Sequence, residues 1–582
     1  MEIIILNNNL CTYTLYIMVI LQFYSHPHIQ QFSPKTHFPQ TNSNFLMQFL
    51  TNNSSFHTMK ATNILTTMST QINISDIFLM LLGLFILTCI NAKLVNKGPM
   101  LWPIIGMVPS FVLHFHEMHN WTTNALEKSG GSFRIRGLFG GFEGIMTSNP
   151  INIEYILKTN FKNFPKGKYF RERFQELLGG SIFNVDDREW KEQRRIATSE
   201  MHASRFMHYS LMTMQDLVHE KLLKVIEEKV KSSKEHTIDL QELLLRFTFD
   251  NVCVAVFGVD PGYLALDLPE IPFAKAFEEA TEYSLFRFLV PPYVWKTMRF
   301  FNLGKEKKLK KAVKIVHEFA ETTVKNRKID INKLRVNSGY DPCDLLSRLI
   351  RLQQSQVYTN LSNSFNDEFL RDFCISFILA GRDTTSVALV WFFWLLHENP
   401  FVENKIVHEI KEILNQRDYS SRENSHEIIF KAEELDKMVY LQGALSESLR
   451  LYPSLPFNLK QAKEDDILPD GMSIKAGHRV IYHIYAVGRN ESIWGKDCSE
   501  FKPERWIKDG KFVAENQLKY LVFNAGPRLC VGKKFSYTQM KMVAASILLR
   551  YKVKVINGQN VVPKVTTTLY MKNGLFVTFQ PR

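Results

Sequence analysis

One decapeptide near the C-terminus constrains this chain more than any other stretch: Phe523-Asn524-Ala525-Gly526-Pro527-Arg528-Leu529-Cys530-Val531-Gly532. A single cysteine stands in a glycine-framed loop, two residues after an arginine. Most free cysteines merely pack in a core. A tight loop, however, aims backbone N–H groups at its own side chains and can help hold a thiolate ionised. Gly526 and Gly532 give access to backbone conformations closed to other residues, and they leave room above the sulfur for a flat ligand. Such a loop presents one axial thiolate to a haem iron, a ligand that pushes electron density onto the metal and favours O–O cleavage. Arg528 can then reach a haem propionate through charge-assisted hydrogen bonds, with Phe523 beside the same group.

Upstream, an apolar stretch begins near Asp367 and runs to Asn399, where Pro400 stops it. It reads as one long buried helix interrupted by Ala380-Gly381-Arg382-Asp383-Thr384-Thr385. Thr384 lies one turn after Ala380, so its hydroxyl can bond the Ala380 carbonyl, and Gly381 weakens the same turn. A local widening that holds water is expected there. Asp383 and Thr384 then form a proton relay, the service a dioxygen-activating haem requires. The alternative is a helix kink with a solvent-facing Asp383.

Two further segments carry spaced polar groups. Trp190-Lys191-Glu192-Gln193-Arg194 puts an indole and a guanidinium on one helix face, both donors that can address a propionate. Glu447-Ser448-Leu449-Arg450 places a carboxylate and a guanidinium three residues apart, a pair that in isolation decorates countless solvated helices.

Taken together, these four segments identify the resemblance. The decapeptide is similar to the haem-binding signature of the cytochrome P450 superfamily, and the others follow in that family's order across residues 99–582. The resemblance implies a mainly α fold with a small β region, preceded by a transmembrane anchor helix. It implies haem b with Cys530 as the iron ligand, and Trp190, Arg194 and Arg528 holding the propionates. Pro503-Glu504-Arg505-Trp506 resembles the segment that completes a buried Glu-Arg-Arg cluster, so Glu447, Arg450 and Arg505 are expected as a structural network without a catalytic role. Pocket residues carried over from the family are Phe377, Ile378, Ala380, Pro456, Phe457, Thr567 and Leu569. For each of them, plain core packing is the competing reading.

Longer segments sharpen the resemblance. Residues 247–253, residues 257–261, residues 451–471 and the Asn-Ala-Gly-Pro-Arg form of the cysteine loop look like the plant fatty-acid omega-hydroxylase branch. That implies hydroxylation of the terminal carbon of a long- or very-long-chain fatty acid, with O2 and with electrons from NADPH delivered by a cytochrome P450 reductase. Gly179-Gly180-Ser181-Ile182-Phe183-Asn184 departs from the branch, whose members carry a charged or amide residue between glycines, and this loop borders the pocket. Chain length stays open, because one methylene discriminates by only roughly 1–3 kcal/mol. Three alternatives remain: mid-chain attack on another lipid such as an alkane, a reductase-independent isomerase or dehydratase of fatty-acid hydroperoxides, and a non-enzymatic haem sensor.

The net charge of +13 is spread along the 582 residues, with no basic tract interleaved with stacking aromatics, which argues against a nucleic-acid partner. It suits an anionic membrane surface or an acidic protein partner. Lys533 and Lys534, directly after the loop, would face such a reductase or else be simply solvated. The seven cysteines show no CxxC pair, which implies a reducing, cytosol-facing environment.

Residues 77–92 are uncharged and rich in Leu, Ile and Phe, and neighbours on both sides extend them toward the length of a span. Asp76 precedes the segment; Lys93 and Lys97 follow it. By the positive-inside rule, the catalytic body then faces the cytosol from a single-pass anchor at 72–96; the resemblance implies that the membrane is that of the endoplasmic reticulum. A cleaved signal peptide is the competing reading. Residues 1–71, with an apolar patch at 15–23 and a polar remainder, read as a poorly structured extension or as a product of start-site choice, Met59 or Met68 being alternative starts.

Gly98-Pro99 and Trp102-Pro103-Ile104-Ile105-Gly106 form a stiff hinge between the anchor and a monooxygenase domain at 97–582. Apolar residues at three- and four-residue steps predict helices over 206–230, 305–327 and 401–414. Strands are expected at 133–136, 472–474, 479–484, 553–556 and 575–579.

Overall fold

Three- and four-residue apolar periodicity is realised throughout the computed structural model, which describes residues 73–232, 237–338, 342–355, 365–417 and 428–582. The chain divides into two units, Met1–Leu84 and Phe85–Arg582. In the first, residues 73–84 are described and form the opening turns of the 22-residue helix Ile74–Val95. None of the 18 central residues of that helix is buried, and only Asp76 and Lys93 bring charge, as a membrane span requires. The extension at 1–71, its apolar patch at 15–23 and the alternative starts lie outside the described residues.

The second unit is mainly helical with small sheets, as expected. Its spine is the helix Asp367–Glu398, which is apolar enough to cross a membrane but largely buried inside the protein. Asn366 caps it, its side chain accepting from the Phe369 N–H, and Pro400 opens the next helix, Pro400–Asn415. One large core cluster joins this spine to the helices Leu240–Phe257, Val439–Leu451 and Lys533–Arg550; a second joins it to the helices around residues 174–206 and 273–350.

Several boundaries differ from expectation for visible reasons. The helix predicted over 206–230 is Ser204–Leu217 and Leu223–Ser232, joined by a π-helical turn at Val218–Leu222. The one predicted over 305–327 runs longer, Gly304–Ser338. The strand predicted to reach Ile484 stops at Tyr482. His483 there accepts the Ala486 N–H on its ring and caps the short helix Ile484–Val487. The principal sheet has four strands, Ser132–Arg136, Glu143–Thr147, Arg479–Tyr482 and Asn458–Gln461; the second and fourth were not foreseen.

The proline hinge packs onto this sheet. Trp102 and Gly106 exchange backbone hydrogen bonds at 2.9 Å in both directions. Gly106 has φ +57°, and a Cβ on it would stand 2.2 Å from the Arg136 carbonyl oxygen, so only glycine fits the close approach. Among the described residues every cysteine is free.

Candidate functional site

The cysteine loop runs through two single 3-10 turns, Leu521–Phe523 and Gly526–Arg528, into the helix Lys533–Arg550. The Cys530 N–H donates to the Phe523 carbonyl at 2.9 Å, which folds the loop back on itself. Cys530 is surrounded by protein yet accessible, so its thiol faces an internal space. Burial pushes the thiol's pKa up; the Gly532 N–H and the charges of Arg194 and Lys533 act in the opposite direction. Lys533 lies 5.5 Å from the Phe523 ring centre, beside the loop, and Lys534 is exposed.

The two loop glycines have unequal reasons. Gly526 has φ +65°, and a Cβ there would stand 2.2 Å from the Leu157 carbonyl oxygen; the neighbouring backbone therefore dictates it, not clearance for a ligand. Gly532 has an ordinary φ of −84°, and its nearest neighbours, Met201 and the Cys530 sulfur, are 3.7 and 4.0 Å from a built Cβ.

The helix Asp187–Met201 brings Trp190 and Arg194 to the same space. Arg528 stacks over the Trp190 indole at 4.4 Å, and its Nη2 donates to Asp186 Oδ1 at 2.7 Å and to the Val185 carbonyl at 3.0 Å. The propionate role foreseen for Arg528 thus falls to its remaining donors, and its Nε is buried without a partner. Arg194 makes no side-chain hydrogen bond among the described residues, and Cys530 is the charge that most favours its cationic form.

Sequence reasoning missed two lysines here. Lys460 is fully buried with an unpartnered Nζ. Burial pushes its pKa far down, aided by Arg528 and Lys166 and opposed by Asp186. Lys166 donates to Asn458 Oδ1 at 2.9 Å; burial and Arg528 pull it down to about 7 against the opposing pull of Asp186. Burial likewise takes Arg528 down to about 10. Only register could have flagged Lys460, which pairs with the buried Val480 across the sheet.

Three basic groups, Lys166, Lys460 and Arg528, thus crowd one region with Asp186 as the carboxylate common to all three, and Arg194 lies beside Arg528 and Cys530. Buried charge is costly unless paired. A flat apolar group carrying two carboxylates and open to an axial thiolate satisfies this donor set, and haem is such a group.

On the spine helix, Asp383 is buried and not solvent-facing: its Oδ1 accepts from Arg382 Nη1 at 3.2 Å. Burial and this carboxylate push the pKa of the nearby Tyr570 phenol well up. The Thr384 hydroxyl donates to the Ala380 carbonyl at 2.6 Å. The expected widening is absent: residues 367–398 are α-helical throughout. Gly381 serves packing, since a Cβ there would lie 2.8 Å from Val252 Cγ2 on the adjacent helix. Ser454 donates to the Thr384 carbonyl at 2.6 Å, and the Leu569 N–H donates to the Ser454 carbonyl at 3.0 Å. The spine helix, the turn before Pro456 and the C-terminal turn therefore converge.

Of the residues carried over as pocket lining, Phe377, Ala380, Phe457 and Thr567 are partly accessible. Pro456 is buried and accepts the Tyr485 N–H at 3.0 Å. Ile378 and Leu569 have no accessible surface and lie in the two large core clusters, where they are packing residues and not lining. The Gly179–Gly180 turn is held by a residue not singled out from sequence: Asp372 Oδ2 accepts the Gly180 N–H at 2.9 Å.

Behind the loop, Glu447 and Arg450 form a fully buried bidentate pair at 2.7 and 2.8 Å. Arg505 Nε reaches Glu447 Oε1 at 3.2 Å, and Trp506 Nε1 donates to Glu447 Oε2 at 2.9 Å.

Residues 97–579 match the family described as cytochrome P450. The chain belongs to the cytochrome P450 family. It is 48% identical over 504 residues to cytochrome P450 86B1 of Arabidopsis thaliana, covering 86% of this chain and 89% of that one. It is 41% identical to cytochrome P450 94A2 of Vicia sativa, covering 83% and 91% of the two chains. Noroxomaritidine synthase 1 of Narcissus pseudonarcissus is 34% identical, with 84% and 93% covered. The P450 family fixes the enzyme class, a monooxygenase oxidoreductase, and implies a haem-iron cofactor. The breadth of these relatives' names shows that family membership alone does not fix a substrate.

Proposed function

We propose that this P450 hydroxylates the terminal carbon of long- or very-long-chain fatty acids, using O2 and electrons passed from NADPH by a membrane-bound reductase. The observation that carries the haem-thiolate part is the accessible Cys530 thiol near Arg194, on a loop whose Arg528 lies among the basic groups Lys166 and Lys460 with Asp186 as their counter-charge. The lipid part rests on the segments that resemble the plant fatty-acid omega-hydroxylase branch and on the partly accessible apolar residues Phe377, Ala380 and Phe457.

When bound, haem supplies dioxygen activation under the push of a thiolate ligand. Cys530 is that ligand, with Leu529 and Val531 beside the sulfur. Trp190, Arg194, Arg528 and Lys460 hold the propionates. Asp383, its Oδ1 oriented by Arg382, and Thr384 Oγ1 serve as the proton relay. Glu447, Arg450 and Arg505 brace the loop from behind. Apolar walls bind the chain, each buried CH2 contributing about 0.8 kcal/mol. The domain at 97–582 works on the cytosolic face of the endoplasmic reticulum, anchored by the helix Ile74–Val95.

Incubation with NADPH, reductase and labelled C16 to C24 fatty acids, followed by location of the new hydroxyl, tests the proposal. Omega-hydroxy acids are expected, and Cys530→Ala should lose both turnover and the thiolate-type carbon monoxide spectrum. Turnover of a fatty-acid hydroperoxide without NADPH would overturn it in favour of an isomerase or dehydratase.

A further inference from the structure

Two arginines play no part in the chemistry above. Arg173, on the helix Gly167–Leu178, is only 1% exposed. Its Nε donates to the Arg287 carbonyl at 2.9 Å and its Nη1 to the Tyr169 carbonyl at 2.8 Å, while its Nη2 is buried without a partner. Arg479, at the start of its strand, donates from Nη1 and Nη2 to the Gly477 and Gly141 carbonyls at 3.2 and 3.1 Å. Its Nε too is buried without a partner.

Both guanidiniums converge on one ring, Tyr169, at 3.4 Å for Arg173 and 4.5 Å for Arg479. Phe142 lies 4.5 Å from Arg479, and Phe288 lies 5.3 Å from Arg173. Among the described residues, no carboxylate comes within 4.0 Å of either. Arg287 nearby shows the compensated case, with Glu306 and Glu176 each at 2.6 Å. Burial, with Arg479 and Arg287 adding to it and Tyr169 and Glu172 opposing, pulls Arg173 down to about 10. Two convergent arginines with unmade donors and aromatic walls are built for an anion with an apolar tail.

We propose that Arg173 and Arg479 seat the carboxylate of the fatty acid, with Tyr169, Phe142 and Phe288 around its first methylenes. The proposal rests on the fatty-acid reading above and adds a head-group site to it. Arg479 pairs in register with Gln461, and the next pair along is Val480 with Lys460. Successive side chains on a strand point to opposite faces, so the substrate carboxylate and the cofactor carboxylates are held apart. Fixing the acid end away from the haem leaves the methyl end to reach it, which is what terminal attack requires.

Palmitate, methyl palmitate and hexadecanol are titrated into the full-length holoenzyme, with binding read by calorimetry and by the haem spectral shift, for wild type, Arg479→Gln, Arg173→Gln and Arg173→Lys. Loss of a charge-assisted hydrogen bond is expected to weaken palmitate by roughly 10- to 100-fold in the Gln variants. Methyl palmitate and hexadecanol should shift less than about two-fold, and Arg173→Lys should retain part of the acid preference. Arg479 is partly exposed, so Arg479→Gln keeps the test valid if Arg173→Gln fails to fold. Equal losses for acid and ester, or no loss for either, would overturn the head-group seat. Wild type that hydroxylates palmitate but binds acid and ester alike sinks the seat alone; wild type that neither binds nor oxidises palmitate sinks the fatty-acid reading itself.

Discussion

The guanidinium of Arg528 lies 4.4 Å over the indole of Trp190, which locks the cysteine loop face to face with the helix Asp187–Met201. Asp186, just before that helix, fixes the same guanidinium from the side at 2.7 Å. The carboxylate also accepts the Lys166 and Gly167 N–H groups, each at 2.9 Å. Three chain segments are thus tied to one acid, while Arg194 and Lys533 are the charges beside Cys530.

Lys460→Met should separate folding from cofactor retention. Replacing a buried, unpartnered cation by an apolar side chain of similar volume is neutral or stabilising by about 1–4 kcal/mol, so the haem-free variant should resist urea at least as well as wild type. Haem should leave it roughly ten-fold faster, because a charge-assisted bond to a propionate is gone. Urea titration and haem transfer to a scavenging apoprotein read the two effects. A slower haem loss would exclude Lys460 from the propionate site.

Glu447→Gln should unfold the domain at a much lower temperature. Arg450 is 1% exposed, and the glutamate that receives two of its donors would become neutral, a loss of about 3–5 kcal/mol for one broken partner of a buried pair. Arg505→Lys, at a side chain with 13% exposure, should cost nearer ~1 kcal/mol. Thermal unfolding of the two variants gives the comparison, and equal costs would contradict the buried geometry.

Gly526→Ala and Gly532→Ala should differ sharply. The first combines φ +65° with a carbonyl 2.2 Å from the new Cβ; the second meets nothing closer than 3.7 Å. Gly526→Ala is expected to displace the loop and lower the fraction of protein that takes up haem, with helix content unchanged. Gly532→Ala should load as wild type does. Haem absorbance per protein, read beside far-ultraviolet circular dichroism, distinguishes them.

Acid should weaken the fold through His119. Both of its ring nitrogens are buried without partners, and its ring stands 5.7 Å from that of His483 and 5.6 Å from that of Tyr485. Burial, reinforced by Arg489, pulls its pKa from 6.5 down to about 4. Between those values the unfolded chain binds the proton and the folded one does not, so stability falls as pH drops from about 6.5 toward 4, by on the order of 3 kcal/mol. His119→Phe should flatten that slope in denaturant titrations at a series of pH values; an unchanged slope would remove His119 from the account.

Local chemistry was legible without a structure. The lone cysteine between glycines, the Thr384 hydroxyl one turn after Ala380 and the Glu447–Arg450 spacing are all written in neighbouring residues, because a tight turn and a helix fix geometry over three or four positions. The mainly helical fold followed from the same short-range periodicity. Packing across the chain was not legible. Gly381 answers to Val252, Gly526 to Leu157, and Ile378 and Leu569 proved to be core, since only tertiary approach decides which small or apolar residue is crowded. Lys460 lies in a short strand that was not foreseen, and its register against Val480 alone turns it inward. Arg173 and Arg479 look like surface arginines in a sequence; it is the convergence of both guanidiniums on Tyr169, each with a buried donor unmade, that gives them something to bind. The sequence by itself determined the family and the thiolate loop through contiguous motifs, while the charge balance of the interior, set by contacts between distant segments, was decided only by the tertiary structure.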